Sequence, residues 1–170
     1  ILDGWRIAGL RSTQQRKDWQ SRLKEAESDI RGEFERRQRG DLPSNFKSTI
    51  EKHKQDLAET KPDKASRKSS QSTLEVINGV VPETLAGSAD LTGSNNTDTS
   101  QTAPITPDDF SGRFVHYGIR EHAMAAAMNG IALHGGLIPY SGTFLVFTDY
   151  CRPSIRLAAL MGLRSIFVMT

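Results

Sequence analysis

Residues 113–136 read RFVHYGIREHAMAAAMNGIALHGG, and residues 139–162 read PYSGTFLVFTDYCRPSIRLAALMG. The first stretch opens with a short apolar run, 113–118, that ends at Gly118 and predicts a strand. An alanine-rich run over 121–134 predicts a helix, closed by Gly135 and Gly136. A strand is expected over 136–141. Residues 144–161 read largely as helix, with a break near Pro153, and 164–169 as a final strand. Upstream, 66–80 has Leu74, Ile77 and Val81 on one side of a helix that Pro82 stops. TLAGSADL at 84–91 is strand-like. The Ser-, Thr-, Asn-, Asp- and Pro-rich stretch 92–112 reads as loop. Strands alternating with helices predict an α/β domain built on a parallel sheet flanked by helices.

The remainder has another character. Residues 1–68 carry 17 of the 22 basic and 12 of the 20 acidic residues. The composition changes near Pro62–Ala65, so 1–64 is expected to be a charged helical linker segment and 65–170 the α/β domain. Trp19, Leu23, Ala26, Ile30 and Phe34 fall on one apolar stripe, with Ser12 or Thr13 as cap and Gly40 and Pro43 as stop. Phe46, Ile50 and Leu57 form a second stripe behind Ser44 and Asn45. Narrow stripes of this kind suit helices lying on the surface of a larger body.

Whole-chain numbers narrow the function classes. A net charge of +2 on 170 residues gives no reason to expect nucleic acid. No apolar run reaches the roughly 18 residues of a membrane span. The single cysteine, Cys151, has no partner for an internal disulfide and fits a reducing compartment. His53, His116, His122 and His134 lack metal-ligand spacing, so no metal site is expected. The last residues, RSIFVMT, read as a strand with no turn signal after it. That ending suggests a segment of a longer protein.

Taken singly, the polar and aromatic candidates have ordinary explanations beside functional ones. Glu121 opens a helix, where the macrodipole favours an acid. Phe144, Phe147 and Tyr150 are spaced i, i+3, i+6, so one helix face would present all three, either to a core or to a flat heteroaromatic ring. Arg67 starts the helix at 66–80 and is either solvated or a fork for phosphate oxygens. Asp90 either orders its loop or faces a ligand.

Three elements together resemble transketolase of the bacterial type. They are GSADLTGSN at 87–95, HYGIREHAMAAAMNG at 116–130 and TFLVFTDY at 143–150, with SRKSSQ at 66–71 in support. The resemblance covers almost the whole chain. It implies a thiamine-diphosphate-binding fold, with 65–170 forming the first part of the pyrimidine-binding domain. In that family thiamine diphosphate needs a carboxyl group against its pyrimidine nitrogen, so that the ring's own amine can take the proton from the reactive carbon. Burial helps such a carboxyl keep a proton. The resemblance assigns this role to Glu121 and the aromatic box to Phe144, Phe147 and Tyr150, with Phe147 stacking on the ring. It implies that Asp90 lies near the cofactor, and that Arg67 and Ser94 hold the phosphate of a sugar substrate.

The resemblance further implies ketol transfer between sugar phosphates in the pentose phosphate pathway, by a cytoplasmic homodimer. The alanine-rich helix would lie near the dimer interface. The magnesium or calcium ion and the diphosphate belong to an N-terminal domain whose Gly-Asp-Gly element is not in this sequence. Alone, these residues are expected to be inactive. A deoxyxylulose-phosphate synthase, or a non-catalytic assembly module on the same fold, are the alternatives. The first shares the Glu and the strand–helix pattern without the combination of all the other elements.

Overall fold

The computed structural model describes all 170 residues, Ile1–Thr170. Four strands, β1 (Thr84–Ser88), β2 (Phe114–His116), β3 (Ile138–Thr143) and β4 (Ile166–Met169), make one sheet in the order β2-β1-β3-β4. All pairings are parallel, with Ala86 opposite both Phe114 and Tyr140, and Tyr140 opposite Ile166. Parallel neighbours need crossover connections; helices supply two of them, and the long 89–113 stretch supplies the one from β1 to β2. α5 (Ser66–Val80) precedes β1, α7 (Glu121–His134) joins β2 to β3, and α8 (Thr148–Leu160) joins β3 to β4.

The alternation of side chains along each strand divides the core between two faces. Ala86, Phe114 and Tyr140 cluster on one face with Leu74 of α5 and Val168 of β4. Ala89, Met124 and Met128 cluster on the other with Tyr117 and Phe167. Adjacent Phe167 and Val168 thus serve opposite faces, as a strand covered on both sides requires. Tyr140 also anchors the long 92–112 connection. Its hydroxyl donates to the Thr97 carbonyl at 2.8 Å and accepts from Asn78 Nδ2 at 2.8 Å. Burial pushes this phenol up to about 12. Ser100 adds a second staple, donating its N–H and its hydroxyl to the Glu75 carboxylate.

The strands at 113–118 and 136–141 are placed correctly but with shifted ends. β3 starts at Ile138 because Gly135 and Gly136, both at positive φ, carry the chain out of α7 first. Two further differences are of kind. The stretch 92–112 is not all loop: Thr92–Asn95 forms a single turn, α6. Gly142 makes room for it, since a Cβ there would lie 2.7 Å from Thr97 Cγ2 and 3.0 Å from Asn95 Cβ. The helix expected over 144–161 does not break at Pro153, which lies inside a continuous α8. The proline is exposed, so the carbonyl it leaves unpaired can be solvated. The break comes earlier: Phe144 is extended, Leu145–Phe147 form a 3₁₀ turn, and α8 begins at Thr148.

The linker segment holds α1 (Leu2–Leu10), α2 (Thr13–Glu25), α3 (Ser28–Arg39) and α4 (Phe46–Thr60). α1 was not legible as a helix in the sequence, and it buries no residue. The stripe from Trp19 to Phe34 is not one helix. Ala26 is extended at φ −60°, ψ 150°, and the chain folds back so that Trp19 and Phe34 meet edge to face at 6.1 Å. α3 is fastened to the sheet by an ion pair. Arg36 donates to both oxygens of Glu83, at 2.8 and 3.0 Å, and to Glu33 at 2.7 Å. Glu83 is almost fully buried, so its countercharge is structurally required. α4 lies against α5, with His53 Nε2 and Thr73 Oγ1 at 3.1 Å. No helix is long and apolar enough to cross a membrane.

Candidate active site

Because all four strands run the same way, their carboxyl ends share one edge. β1 leads there to Asp90 and Ser94, β2 to Glu121, and β3 to Phe144 and Phe147. The chain passes from β1 to β2 on one side and returns to β3 on the other. The strand order therefore reverses between β1 and β3, and in open α/β sheets ligands bind outside the carboxyl ends at such a point.

Glu121 sits where β2 turns into α7. Gly118, at φ +68°, makes that turn, and Arg120 folds back over it to donate to the Tyr117 carbonyl at 2.9 Å. Glu121 is then the first residue of α7 and only 7% exposed. A carboxyl at that depth normally has hydrogen-bond partners, yet its one side-chain hydrogen bond is from the Thr143 hydroxyl, which donates to Oε1 at 3.5 Å. The other oxygen accepts no side-chain hydrogen bond within the chain. Cys151 of α8 packs nearby. Its thiol is pushed up by burial, and the charge of Glu121 adds a smaller push.

The aromatic run begins one residue beyond Thr143. It does not lie on one helix face, because Phe144 is extended, Phe147 ends the 3₁₀ turn and Tyr150 is in the first turn of α8. The bend still gathers the rings. Phe144 and Phe147 are 5.9 Å apart at 32°, and Phe147 and Tyr150 are 5.9 Å apart at 37°. These separations suit offset stacking. Phe144 and Phe147 are half-buried, and Tyr150 is 65% exposed. The middle ring thus lies between the other two, in the segment that follows the Thr143 contact to the buried carboxyl. An aminopyrimidine fits this donor set, with a flat apolar support and one carboxyl at its edge.

Asp90 follows β1 with φ +61°. A non-glycine residue in this region carries strain of about 1 kcal/mol, which Asp tolerates better than most. Its carboxylate is exposed and accepts no hydrogen bond from the chain, so it does not order the loop in the way an Asx turn would. Ser94 lies half-buried in α6 with no partner for its hydroxyl. Arg67 is exposed in the first turn of α5 and forms no ion pair. One turn later Gln71 donates to the carbonyl of Asp98, at 3.1 Å, and so ties α5 to the loop behind Ser94. The structure thus gathers Phe144, Phe147 and Tyr150, and ties Glu121 to Thr143, the residue before the first ring. It sets Asp90 and Ser94 on the same edge, and leaves Arg67 on a neighbouring helix without contact to them.

Two features here escape a reading of the sequence. One is Thr143, which meets Glu121 across 22 positions. The other is a polar relay under α6, in which Ser88 donates to Asn95, and Asn95 donates to the Thr170 hydroxyl at 2.7 Å. The GTF triplet at 142–144 was the available signal for Thr143, but nothing in it specifies a partner. A separate cleft of about 170 Å³, lined by Arg37, Gln38, Gly136 and Arg164, lies at the opposite, amino edge. No group of three or more His, Cys, Asp or Glu side chains converges to hold a metal ion.

Residues 63–170 match the family described as transketolase, pyrimidine binding domain. The chain is 52% identical to a transketolase of Sinorhizobium medicae over its full length, which is 24% of that relative. It is 46% identical to a transketolase of Rhodobacter capsulatus over 98% of this chain and 25% of the relative. Among solved structures, transketolase from Leishmania mexicana superposes with a TM-score of 0.80 at 32% identity, covering 94% of this chain and 23% of the other. Transketolase from Pichia stipitis in complex with sedoheptulose-7-phosphate gives 0.80 at 35% identity, over 94% and 24%. The chain spans about a quarter of the length of the curated relatives it matches. With the all-parallel sheet and these matches, the chain belongs to the transketolase family, its residues 63–170 matching the pyrimidine-binding domain.

Proposed function

We propose that this chain supplies the cofactor-activating side of a thiamine-diphosphate-dependent transketolase, which moves a two-carbon ketol unit from a ketose phosphate to an aldose phosphate. The observation that carries the reading is the buried Glu121 carboxyl, hydrogen-bonded to Thr143 at the point where the chain enters the Phe144–Phe147–Tyr150 ring array. Thiamine diphosphate, when bound, supplies the nucleophilic carbon and the amine that deprotonates it. Glu121 shares a proton with the edge of the pyrimidine. Phe147 supports its face, while Phe144 and Tyr150 bracket the support and exclude water. Asp90 borders the same edge. Arg67 and Ser94, both without partners in the chain, take the sugar's phosphate. In this reading the diphosphate and its magnesium or calcium ion fall to residues outside this sequence. The enzyme works as a homodimer in the cytoplasm, in the pentose phosphate pathway.

Assay of the full-length protein tests this reading. Ketol transfer from a ketose phosphate to an aldose phosphate, dependent on thiamine diphosphate and a divalent cation, is expected. Phe147→Ala should weaken cofactor binding by about 3–10-fold, the worth of one aromatic stacking contact. Condensation of pyruvate with a triose phosphate, without ketol transfer, would instead identify a deoxyxylulose-phosphate synthase. No cofactor binding at all would leave an assembly module.

A further inference from the structure

We infer that Thr143 is a positioning residue for Glu121, fixing which carboxyl oxygen meets the pyrimidine. The inference rests on the reading of Glu121 as the carboxyl that faces the cofactor.

Thr143 is the last residue of β3 and is fully buried. Its backbone is held independently of its side chain. It pairs with Met169 in the sheet, and its carbonyl accepts from the Thr170 N–H at 3.2 Å. A strand accommodates valine at least as well as threonine, so the sheet itself does not require a hydroxyl here. A buried threonine hydroxyl commonly bonds to nearby backbone. This one bonds only to Glu121 Oε1.

The chemistry of that contact is directional. A hydroxyl that donates to Oε1 makes Oε1 an acceptor. The proton that Glu121 shares with a ligand is then confined to Oε2. The ring of Phe144, on the next residue, belongs to the array on which the pyrimidine would lie. One residue pair, Thr143–Phe144, therefore sets both the orientation of the carboxyl and the height of the ring beside it. At 3.5 Å the contact is longer than the usual 2.5–3.0 Å for O–H···O. Hydrogen bonds of this length at reacting groups tighten when a ligand draws the partners into place.

The test uses the full-length enzyme with Thr143→Val, Thr143→Ser, Glu121→Gln and the Val–Gln double variant. Two readouts are taken: deuterium exchange at the reactive carbon of bound thiamine diphosphate, by quenched flow and NMR, and the cofactor Kd. Thr143→Val is expected to slow exchange about 10-fold, the worth of a hydrogen bond to a charged group, with a smaller change in Kd. Thr143→Ser should exchange at close to the native rate. In the Glu121→Gln background the Val substitution should add little, because the orientation it sets no longer matters. Native exchange in Thr143→Val, with slow exchange in Glu121→Gln, would overturn the role of Thr143 alone. Native exchange in Glu121→Gln would overturn the reading beneath it. Equal slowing by Ser and Val would assign the effect to the methyl group and overturn the proposal. If the Val protein does not fold, Thr143→Ala is read by the same criteria.

Discussion

The two edges of the sheet treat their charged groups differently. At the amino edge they are matched to one another. Glu83, ahead of β1, receives the Arg36 fork. Arg113, ahead of β2, donates to the carbonyls of Asn78, Val81, Pro82 and Gln101. Arg164, ahead of β4, donates to the Gly40 carbonyl at 3.0 Å. At the carboxyl edge Asp90 and Ser94 have no side-chain partner in the chain, and neither does Arg67 on the adjoining helix. Glu121 has one long contact. Buried polar groups are normally satisfied, and strained or unpaired ones gather where a ligand completes them. The amino edge therefore fastens the linker helices to the domain, and in the proposed reading the carboxyl edge is the side that takes the ligand.

Substitution at the amino edge should change stability and spare the site. The largest effect is expected from Arg36→Ala, which strands the carboxylate of Glu83, 3% exposed, without a countercharge. Breaking a buried pair from one side costs about 3–5 kcal/mol. The thermal midpoint of the full-length enzyme should drop by several degrees, with the cofactor Kd unchanged. Replacing both partners, Arg36→Met with Glu83→Leu, should recover most of the loss. An unchanged midpoint in Arg36→Ala would erase the contrast between the edges.

The reverse holds for Arg67→Ala. It removes a guanidinium that supports nothing in the fold, so the thermal midpoint should stay constant. KM for phosphorylated donors should rise about 10–100-fold, the worth of a charge-assisted hydrogen bond, and KM for non-phosphorylated ketols should not. Equal changes for both donor types would make Arg67 a structural residue and move it to the other side of the comparison.

The smallest effect is a pH dependence at the amino edge. Hydrogen bonds from Arg36 and Arg37 hold the Glu33 carboxyl down to about 2. A folded-state value below the unfolded one, about 4.3, means the contribution is present above that value. It is lost as pH falls toward 2. Glu33 is 42% exposed, so screening limits it to about 0.2–1 kcal/mol. Wild type should therefore be slightly more stable than Glu33→Gln near neutral pH, and the gap should close on acidification. A gap that widened with acid would reverse the sign of the argument.

Much of this was legible in the sequence, for identifiable reasons. The strand–helix alternation after residue 65 reports burial on both sheet faces, and that pattern survives in the core clusters around Ala86 and Met124. Glu121 stands out through the resemblance carried by HYGIREHAMAAAMNG, because an acid in the first turn of a helix is ordinary by itself. The failures are local backbone events that side-chain periodicity does not encode. Ala26 becomes extended in the middle of an unbroken apolar stripe, because Trp19 and Phe34 pack across the bend. Pro153 stays helical because its side of α8 is solvated. The contacts Arg36–Glu83 and Thr143–Glu121 span 47 and 22 positions, and no motif connects their ends.

The central claim is that Glu121 shares a proton with the cofactor, and Glu121→Gln in the full-length enzyme tests it most directly. Glutamine keeps the size of the side chain and one acceptor oxygen, but has no carboxyl proton to share. Turnover at saturating cofactor should fall about 10²–10⁴-fold, as positioned acid–base help is lost, with little change in KM for the sugar phosphates. A glutamine variant that turns over at close to the native rate under those conditions would contradict the account.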